Sequence, residues 1–459
     1  MASTQPRMSC IAQRRTASGA AALARVCLIG LVALAGLAGC ASFDPHGLLS
    51  RGGGTDPGVL DAGARVAIFE QVWRTVGESY YDPALHGVDW PATAALHRSA
   101  ALAADGDEAY WAALDRMLGT LHDSHTRVES PREVRWRTRE AGGAFGFGVR
   151  MIDGALWVES VEPSSAAAAA GVKRGMRLQW VDDRDAAAAW LALRQTQRRN
   201  STPQAQDVRT DTQFFLSLPD APVAMSFARA DGSALSAVLG RPARVTPPAV
   251  QSRRLPSGHG LVRLSAFVPV LLPALMSALA EHRSAPGIVI DLRGNRGGSF
   301  EMVGQLADAL VAQPAAYART LTRSGQPVTM LFGMVQVIGT DLQLRGSGID
   351  AYPGRVVVLV DRASASAAEL LAATLQMLGR AQVVGETSCG CLLGFLGYVP
   401  LRGGARLAYS EVGFVLADGS RVEGRGVRPD RGVAVTPQTL LADGDAALDA
   451  ALALLAAGR

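Results

Sequence analysis

Apolar residues recur at helical spacing along residues 64–122, with polar residues at the positions between them. A spacing of three to four residues is typical of amphipathic helices that pack one face against a core. The two clearest runs are Val66, Phe69, Val72, Trp73 and Val76, and Tyr110, Leu114, Met117, Leu118 and Leu121. The pattern predicts a helical N-terminal domain over residues 64–140.

Short strand-like runs follow in residues 142–240. The pattern predicts strands at 147–152, 155–161 and 178–181, with an alanine-rich helix over 164–171. Strands this short and this closely spaced predict a small β domain over residues 142–240.

Residues 255–435 alternate between buried-type strands and amphipathic helices. The predicted strands are 261–267, 287–292, 355–360 and 382–385, and the predicted helices are 299–312 and 367–378. Strand, helix and strand in this order imply parallel pairing with right-handed crossovers. The predicted fold class is therefore multidomain α/β, with a helical N-terminal segment, a small β domain and an α/β core.

The rest of the C-terminal half is less regular. Residues 313–350 show no clear period and are predicted to be irregular. Asp418-Gly419 stands between the segments 407–416 and 421–423, which predicts a hairpin. Residues 436–459 are predicted to form a C-terminal helix.

The first 39 residues have the pattern of an export signal. They contain four arginines and no acidic residue, and a short apolar run covers 26–38. A basic region, an apolar run and small residues are typical of secretory signal peptides. The run ends in Leu37-Ala38-Gly39-Cys40, which resembles the bacterial lipobox, in which the cysteine carries the lipid.

We therefore predict a signal peptide at 1–39, a lipidated Cys40 and a flexible tether over 40–63. The alternative is an uncleaved helical anchor, which the shortness of the apolar run disfavours. Lipidation implies anchoring to a membrane of the bacterial cell envelope, facing the periplasm. Ala41 after the cysteine is compatible with sorting to the outer membrane.

The charge of the chain gives no reason to expect a nucleic-acid partner. There are 45 basic and 41 acidic residues, a formal net charge of +4. Without the four arginines of the signal, 41 basic residues balance the 41 acidic ones, so no basic field remains to attract phosphate. Lys173 is the single lysine of the sequence, which leaves a lysine-dependent mechanism one candidate.

Two of the five cysteines, Cys389 and Cys391, form a Cys-Gly-Cys motif in the predicted core. Zinc binding would need further ligands at suitable spacing, which the sequence lacks. The motif is either a redox pair or two structural thiols. No metal or other cofactor is predicted.

The clearest chemical signal is Asp-Arg-Ala-Ser-Ala-Ser-Ala-Ala-Glu at 361–369, between a predicted strand and a predicted helix. A nucleophilic serine on such a turn exposes its hydroxyl beside helix N–H groups that can hold an oxyanion. The alternative is a capping box, in which Ser366 and Glu369 only satisfy the first turn of the helix.

A second signal is the glycine loop at 291–298, which also follows a predicted strand. Such a loop can direct N–H groups at an anion, although a plain tight turn fits equally well. It is not a P-loop, because no Gly-Lys-Ser/Thr follows. Among the histidines, His122, His125 and His259 remain as candidate bases, and His125 alone would be interpreted as a helix-end residue.

Together, these motifs resemble the C-terminal-processing (tail-specific) serine peptidases and the tricorn core protease. The matching segments are 121–126, 291–298, 364–369, 379–386 and 423–430, in the same order as in the family. The resemblance covers residues 64–459. It implies a serine peptidase with a ClpP/crotonase-like core that acts on proteins or peptides.

One departure from the family decides between its two branches. In the tail-specific branch the base is a lysine 25 residues after the serine, and that position is Cys391 here. The branch that includes the tricorn core uses serine, histidine and glutamate. The resemblance then implies Ser366 as nucleophile, His125 as general base and Glu423 as the residue that orients the imidazole. A histidine base predicts activity that rises through about pH 6–7.

The same resemblance implies the groups that stabilise the oxyanion. These would be the backbone N–H groups of Gly298, or Gly297, and of Ala367. Ser124 would have a supporting role.

Residues 142–240 resemble a PDZ domain. Gly146, Phe147, Gly148 and Val149 would form the loop that captures the C-terminal carboxylate of a peptide. The alternative is a small β module that only packs against the core.

The leading hypothesis is a lipid-anchored serine endopeptidase that cleaves envelope proteins or peptides with unstructured or exposed C-termini. A catalytically inactive, PDZ-containing peptide-binding lipoprotein is the main alternative, because the loss of the family lysine would fit decay. A third hypothesis is a small-ligand carrier, with the Leu- and Met-rich stretch 328–338 lining a pocket.

Overall fold

The computed structural model describes residues 59–138, 145–241, 247–330 and 335–457. The predicted signal peptide, Cys40 and the predicted tether up to residue 58 lie outside these residues. Within the described part of the chain, no helix is both long enough and apolar enough to cross a membrane.

Helices dominate the first described region. Its elements are α1 (Ala62–Ser79), 3-10 turns at Leu85–Gly87 and Gly119–Leu121, α2 (Trp90–Leu102), α3 (Gly106–Leu118), β1 (Arg127–Glu129) and α4 (Pro131–Thr138). Asp61 and Asp89 cap α1 and α2 by accepting from N–H groups of the first turn. The two predicted apolar runs lie on α1 and α3 and meet in one apolar cluster.

A five-membered antiparallel path, with β2 at one edge, organises residues 147–239 in the order β2-β3-β4-β6-β7. The elements are β2 (Phe147–Ile152), β3 (Ala155–Val161), α5 (Ala166–Ala169), β4 (Arg177–Val181), β5 (Arg184–Asp185), α6 (Ala186–Thr196), α7 (Pro203–Ser217), β6 (Val223–Ala228) and β7 (Ala234–Leu239). Phe147, Trp190 and Phe227 fill its interior. The predicted helix over 164–171 is a single turn, because Ser165 caps it and Gly171 ends it at a φ of +86°.

The remaining residues form the core and the C-terminal tail. Their elements are β8 (Val250–Arg254), β9 (Gly260–Leu264), a 3-10 turn (Pro269–Leu271), α8 (Leu272–Glu281), β10 (Gly287–Asp291), α9 (Phe300–Leu310), β11 (Ala315–Leu321), β12 (Val328–Met330), β13 (Val335–Ile338), β14 (Asp341–Leu344), a 3-10 turn (Gly348–Asp350), β15 (Arg355–Val360), α10 (Ala367–Met377), β16 (Ala381–Gly385), β17 (Leu393–Gly394), β18 (Val399–Pro400), β19 (Arg406–Ala408), β20 (Val412–Leu416), β21 (Arg431–Gly432), α11 (Pro437–Leu441) and α12 (Ala446–Ala456).

The central sheet has the strand order β21-β16-β15-β10-β9-β8. All its pairs are parallel except β8 with β9, as strand–helix–strand order predicts. The β10 and β15 strands are buried almost throughout, so they read as continuous apolar runs. The α9 and α10 helices pack on one face, and α12 covers the other through Leu448, Ala451 and Leu455.

The prediction that residues 313–350 are irregular is wrong. They contain β11 to β14, and β11 lies between β14 and β20 in a second sheet. The β11 strand pairs with a segment about 95 residues away, where Ala318 faces Leu416, so no local period reveals it.

The predicted hairpin at Asp418-Gly419 and the single C-terminal helix are also wrong. The turn closes when the Leu416 N–H donates to Ser420 O, at 2.9 Å, but no return strand follows. The Val422 carbonyl instead accepts from two later N–H groups, which folds 422–426 into a turn. The tail is two helices, because α11 ends at Ala442 and Asp445 caps α12.

Candidate active site

Ser366 occupies the sharp turn between β15 and α10. Its backbone has φ +55° and ψ −119°, a conformation that a residue with a Cβ rarely adopts. The turn is held on both sides, because Ala365 N–H donates to Asn295 O and Ser364 Oγ donates to Leu292 O, each at 2.9 Å. A strained serine at a strand-to-helix turn is the arrangement that presents a nucleophilic hydroxyl.

The glycine loop packs directly against this turn. A Cβ on Gly297 would lie 2.7 Å from Ser366 Cβ and 2.8 Å from Ala367 N, so only glycine fits there. Gly297 N–H donates to the Asn295 side chain at 2.8 Å and is therefore already used. Of the two glycines predicted to hold the oxyanion, Gly298 is the one that this geometry favours.

Glu369 lies beneath the nucleophile and is fully buried. Its Oε2 accepts from Ser366 N–H at 3.0 Å and Cys391 N–H at 2.9 Å, while its Oε1 accepts from Gly390 N–H at 2.6 Å and Ser388 Oγ at 2.5 Å. Burial raises the pKa of Glu369 to about 7, although these four hydrogen bonds pull it down. Sequence reasoning gave Glu369 only a capping role, and its bond to Ser366 N–H is indeed half of a capping box.

His125 follows the 3-10 turn after α3, in a loop wrapped around Asp123. The Asp123 carboxylate accepts from His125 N–H at 2.7 Å and Ser410 Oγ at 2.6 Å, and from the Thr126 hydroxyl. The buried Arg198 donates to the carbonyls of Asp123, Ser124 and Thr126, all at 2.9 Å. Sequence reasoning missed Arg198, because an arginine in a polar stretch is typical of the surface.

The imidazole of His125 is neutral in this environment. Burial lowers its pKa to about 4; Asp123 opposes the shift, and the charges of Arg127 and Arg198 add to it. Its Nδ1 is buried and has no hydrogen-bond partner among the described residues. The ring lies 6.1 Å from the Phe395 ring, measured between centroids.

The Glu423 carboxylate is also buried, and no described residue makes a hydrogen bond of good geometry to either of its oxygens. Burial raises its pKa well above the ordinary value, and the negative charges of Asp123 and Glu369 raise it further. The Ser201 hydroxyl and Leu392 N–H face it and lower the pKa somewhat. Ser124 N–H donates to Ser201 Oγ at 2.9 Å, and Ser201 N–H donates to Ser124 Oγ at 3.1 Å. Ser124, the predicted supporting residue, therefore joins the histidine loop to the segment that faces Glu423.

The structure thus brings the segments that carry Ser366, His125 and Glu423 to one region, but it does not join the three side chains by hydrogen bonds. We call this arrangement the open triad. Among the described residues, no hydrogen bond joins Ser366 to His125 or His125 to Glu423. Within the described residues, neither His125 Nδ1 nor the Glu423 carboxylate has a hydrogen bond of good geometry, and the two groups are complementary in charge and hydrogen bonding. Pairing them would raise the histidine pKa and lower that of the glutamate.

These pKa shifts predict how activity depends on pH. The base must be neutral, so kcat/KM, which reports the free enzyme, is expected to rise through about pH 4–5 rather than 6–7. The profile of kcat reports the enzyme–substrate complex. Its acidic limb is expected at higher pH, because pairing with Glu423 raises the pKa of His125. The measurement is a pH–rate profile with an uncharged peptide, with circular dichroism checking that the protein stays folded.

The control for this profile is Glu423→Gln, which removes the carboxylate charge. In this variant, the acidic limbs of kcat and kcat/KM should lie at the same pH. A kcat/KM limb centred near pH 6.5, the ordinary histidine value, would contradict the assignment of a buried His125 as base.

The predicted peptide-binding loop lies beside the nucleophile turn. Arg362, four residues before Ser366, donates to Val149 O at 3.1 Å and pairs with Glu159 at 2.9 Å and Asp211 at 2.8 Å. A cavity of about 490 Å³ opens between these elements. Its lining includes Phe147, Gly148, Val149, Arg296, Arg362 and Ala363. Within the described ranges, no group of three His, Cys, Asp or Glu side chains could hold a metal ion.

Comparisons with known proteins identify the family of the core. The profile of peptidase family S41 matches residues 258–433, and that of the tricorn protease C1 domain matches residues 64–119. The core of this chain is a peptidase family S41 domain. S41 is a family of serine-type peptidases, so the protein is a serine-type peptidase, and the resemblance drawn from the sequence motifs is confirmed.

Related proteins carry the same family name. The chain is 27% identical over 335 residues to a carboxyl-terminal-processing protease of Picosynechococcus, a match that covers 70% of this chain and 72% of the relative. It is 26% identical over 332 residues to the chloroplastic carboxyl-terminal-processing peptidase 3 of Arabidopsis thaliana, covering 70% of this chain and 60% of that protein.

Solved structures show the same fold. The photosystem II D1 C-terminal processing protease covers 83% of this chain and 98% of its own, with a TM-score of 0.54 and 22% identity. Mature CPAF covers 83% of this chain and 94% of its own, with a TM-score of 0.61 and 13% identity. The predicted multidomain α/β fold is confirmed.

Proposed function

We propose that this serine peptidase cleaves peptide bonds through an acyl-enzyme on Ser366, with His125 as base and Glu423 as its partner. Ser366 Oγ attacks the carbonyl carbon, and His125 takes the hydroxyl proton and then donates it to the leaving amine. Water releases the acyl group by the same route. The observation that carries the proposal is the strained Ser366 turn packed against the glycine loop.

The oxyanion of the tetrahedral intermediate would be held by backbone N–H groups of Gly298 and Ala367. Both residues border the Ser366 turn, because Gly297 contacts Ala367 N and Gly298 continues the same loop. Ala367 begins α10, where the helix N-terminus favours negative charge.

The substrates we propose are proteins or peptides with exposed, unstructured C-termini. The β2 strand lies at a sheet edge that an extended peptide can join. Gly146 precedes that strand, and Phe147, Gly148 and Val149 begin it. The cavity beside these residues continues to residues 361–363, so a bound tail would lead toward Ser366. These features support the PDZ-like interpretation of residues 142–240.

We also propose that residues 1–39 are removed and that Cys40 carries a lipid. This would hold the enzyme on a bacterial envelope membrane, facing the periplasm. The support is the basic, apolar and small-residue pattern that ends in Leu-Ala-Gly-Cys.

The substrate proposal predicts a preference for a free C-terminus. An unstructured peptide with a free carboxylate is expected to be cleaved with kcat/KM about 10- to 100-fold higher than its C-terminal amide, because hydrogen bonds to a charged group are lost. The measurement is hydrolysis followed by mass spectrometry on the matched pair of peptides.

Ser366→Ala serves as the control for contaminating peptidases in this comparison. Equal cleavage of acid and amide would contradict recognition of the tail. Cleavage of neither peptide, together with failure of Ser366 to react with a fluorophosphonate, would instead favour a catalytically inactive binding protein.

A further inference from the structure

A disulfide joins Cys389 to Cys391 across a single glycine. Both cysteines are nearly buried, at 6% and 3% exposure. Gly390 between them has φ +71°, and a Cβ there would lie 2.5 Å from Thr202 and 2.9 Å from Gly426 N. The three residues, named here the CGC loop, therefore form a tight, closely packed ring that only glycine can complete.

The backbone of the CGC loop supports the nucleophile. Gly390 and Cys391 donate their N–H groups to the two oxygens of Glu369, at 2.6 and 2.9 Å, and Glu369 accepts the Ser366 N–H at 3.0 Å. Cys389 N–H donates to Ser364 O at 2.9 Å, on the other side of the same turn. Thus every N–H of the loop is used to hold the Ser366 turn.

The carbonyl groups of the CGC loop reach the segments that carry the other two residues. Gly424 N–H, next to Glu423, donates to Gly390 O at 3.0 Å. The Thr202 hydroxyl donates to Cys389 O, and the preceding Ser201 is bonded twice to Ser124, next to His125. One small ring is therefore bonded to the serine and glutamate segments and, through Thr202 and Ser201, linked to the histidine loop.

We propose that the Cys389–Cys391 disulfide is a positioning element that holds Ser366, His125 and Glu423 in register, so that activity depends on its oxidation state. The inference rests on the proposed function, because it assumes that Ser366 is the nucleophile. Reduction by a dithiol would convert the disulfide to two thiols, while the dithiol is oxidised to its own disulfide. Without the ring, the backbone of Gly390 regains its freedom, and the N–H groups held against Glu369 lose their fixed direction.

The test compares the full chain in its oxidised and dithiothreitol-reduced forms. We expect reduction to slow fluorophosphonate labelling of Ser366 and to lower kcat by roughly 10- to 100-fold, with KM little changed. Reoxidation should restore both. Alkylation and mass spectrometry of the tryptic peptide 381–402, which contains both cysteines, establish the redox state of each sample.

Two variants serve as controls. Cys389→Ser/Cys391→Ser is expected to have the labelling rate and kcat of the reduced wild type, and dithiothreitol should change neither. If the buried disulfide resists reduction, this variant alone tests whether the disulfide is needed for activity. Cys10→Ser/Cys27→Ser/Cys40→Ser changes the three cysteines outside the CGC loop, keeps the loop intact and should retain the full response. All rates are measured well below the melting temperature of each form. Circular dichroism measures the folded fraction of each sample, so that a lower kcat is distinguished from a smaller amount of folded enzyme.

The outcomes separate this inference from the proposed function. Equal labelling and equal kcat in verified oxidised and reduced forms, and in the double variant, would overturn the positioning role and leave Ser366 as nucleophile. Failure of the oxidised enzyme to label at Ser366 would overturn the proposed function, and this inference with it.

Discussion

Ser366→Ala and His125→Ala are each expected to lower kcat by about 10⁶-fold, because attack requires both the hydroxyl and a base to take its proton. Glu423→Gln is expected to cost less, about 10⁴-fold, since it leaves the imidazole in place but removes the charge that stabilises the imidazolium. The measurements are kcat on an unstructured peptide and the rate of fluorophosphonate labelling at residue 366.

The double variant Ser366→Ala/His125→Ala tests whether the residues act together. Its activity should be no lower than that of either single variant, because one broken link already disables the unit. His122→Ala is a matched control, since this neighbouring histidine is exposed and its substitution should leave kcat unchanged. Full activity in His125→Ala would show that another group is the base.

The open triad gives these variants a structural context. Burial raises the pKa of Glu423 and lowers that of His125, so it favours the neutral form of both groups in the unliganded enzyme. In the part of the chain that the structure describes, neither group has a hydrogen bond of good geometry, and a buried polar group without one is costly to maintain. Substrate that excludes water and brings the two together would replace two unsatisfied groups with one charge-assisted hydrogen bond. Binding energy would then be used to complete the site.

The features of the site that sequence predicted are local ones. Ser366 and the glycine loop each follow a buried strand, and parallel strands place such loops at one edge of a sheet. The register of β10 and β15, with Asp291 opposite Leu359, brings the two turns together. The strand-turn-helix pattern therefore predicts the position of both turns, whereas their chemical role is predicted from the family resemblance.

What sequence could not predict depends on long-range contacts. The role of Glu369 beyond capping requires the CGC loop, which arrives about 20 residues later, and Arg198 reaches the histidine loop from about 70 residues away. The bonds of Arg362 to Val149 and Glu159 cross more than 200 residues. Nothing in the local pattern distinguishes these charged residues from surface ones, because only the folded structure buries them.

Glu369→Gln is expected to lower the rate of Ser366 labelling by about 100-fold and the free energy of unfolding by about 2–6 kcal/mol. The carboxylate accepts four hydrogen bonds on two oxygens, whereas an amide turns one of those acceptors into a donor. At least two buried donors would then lack an acceptor, at about 1–3 kcal/mol each. Loss of the bond to Ser366 N–H would release the strained turn. Displacement of the Ser366 hydroxyl by about 1 Å is enough to lower the labelling rate by about 100-fold.

The matched control is Glu301→Gln, in the first turn of α9. Glu301 is exposed, and among the described residues it accepts one hydrogen bond, from Gln305 at 3.3 Å. Its substitution should therefore change the free energy of unfolding by less than about 0.5 kcal/mol and leave the labelling rate of Ser366 unchanged. The pH dependence provides a second check. Because burial raises the pKa of folded Glu369 to about 7, its protonated form stabilises the fold at low pH, and that contribution is lost as the pH rises from about 4.5 through 7. The stability difference between wild type and Glu369→Gln should therefore shrink over this range. A difference that grows with pH would mean that the four hydrogen bonds outweigh burial and that Glu369 is ionised throughout.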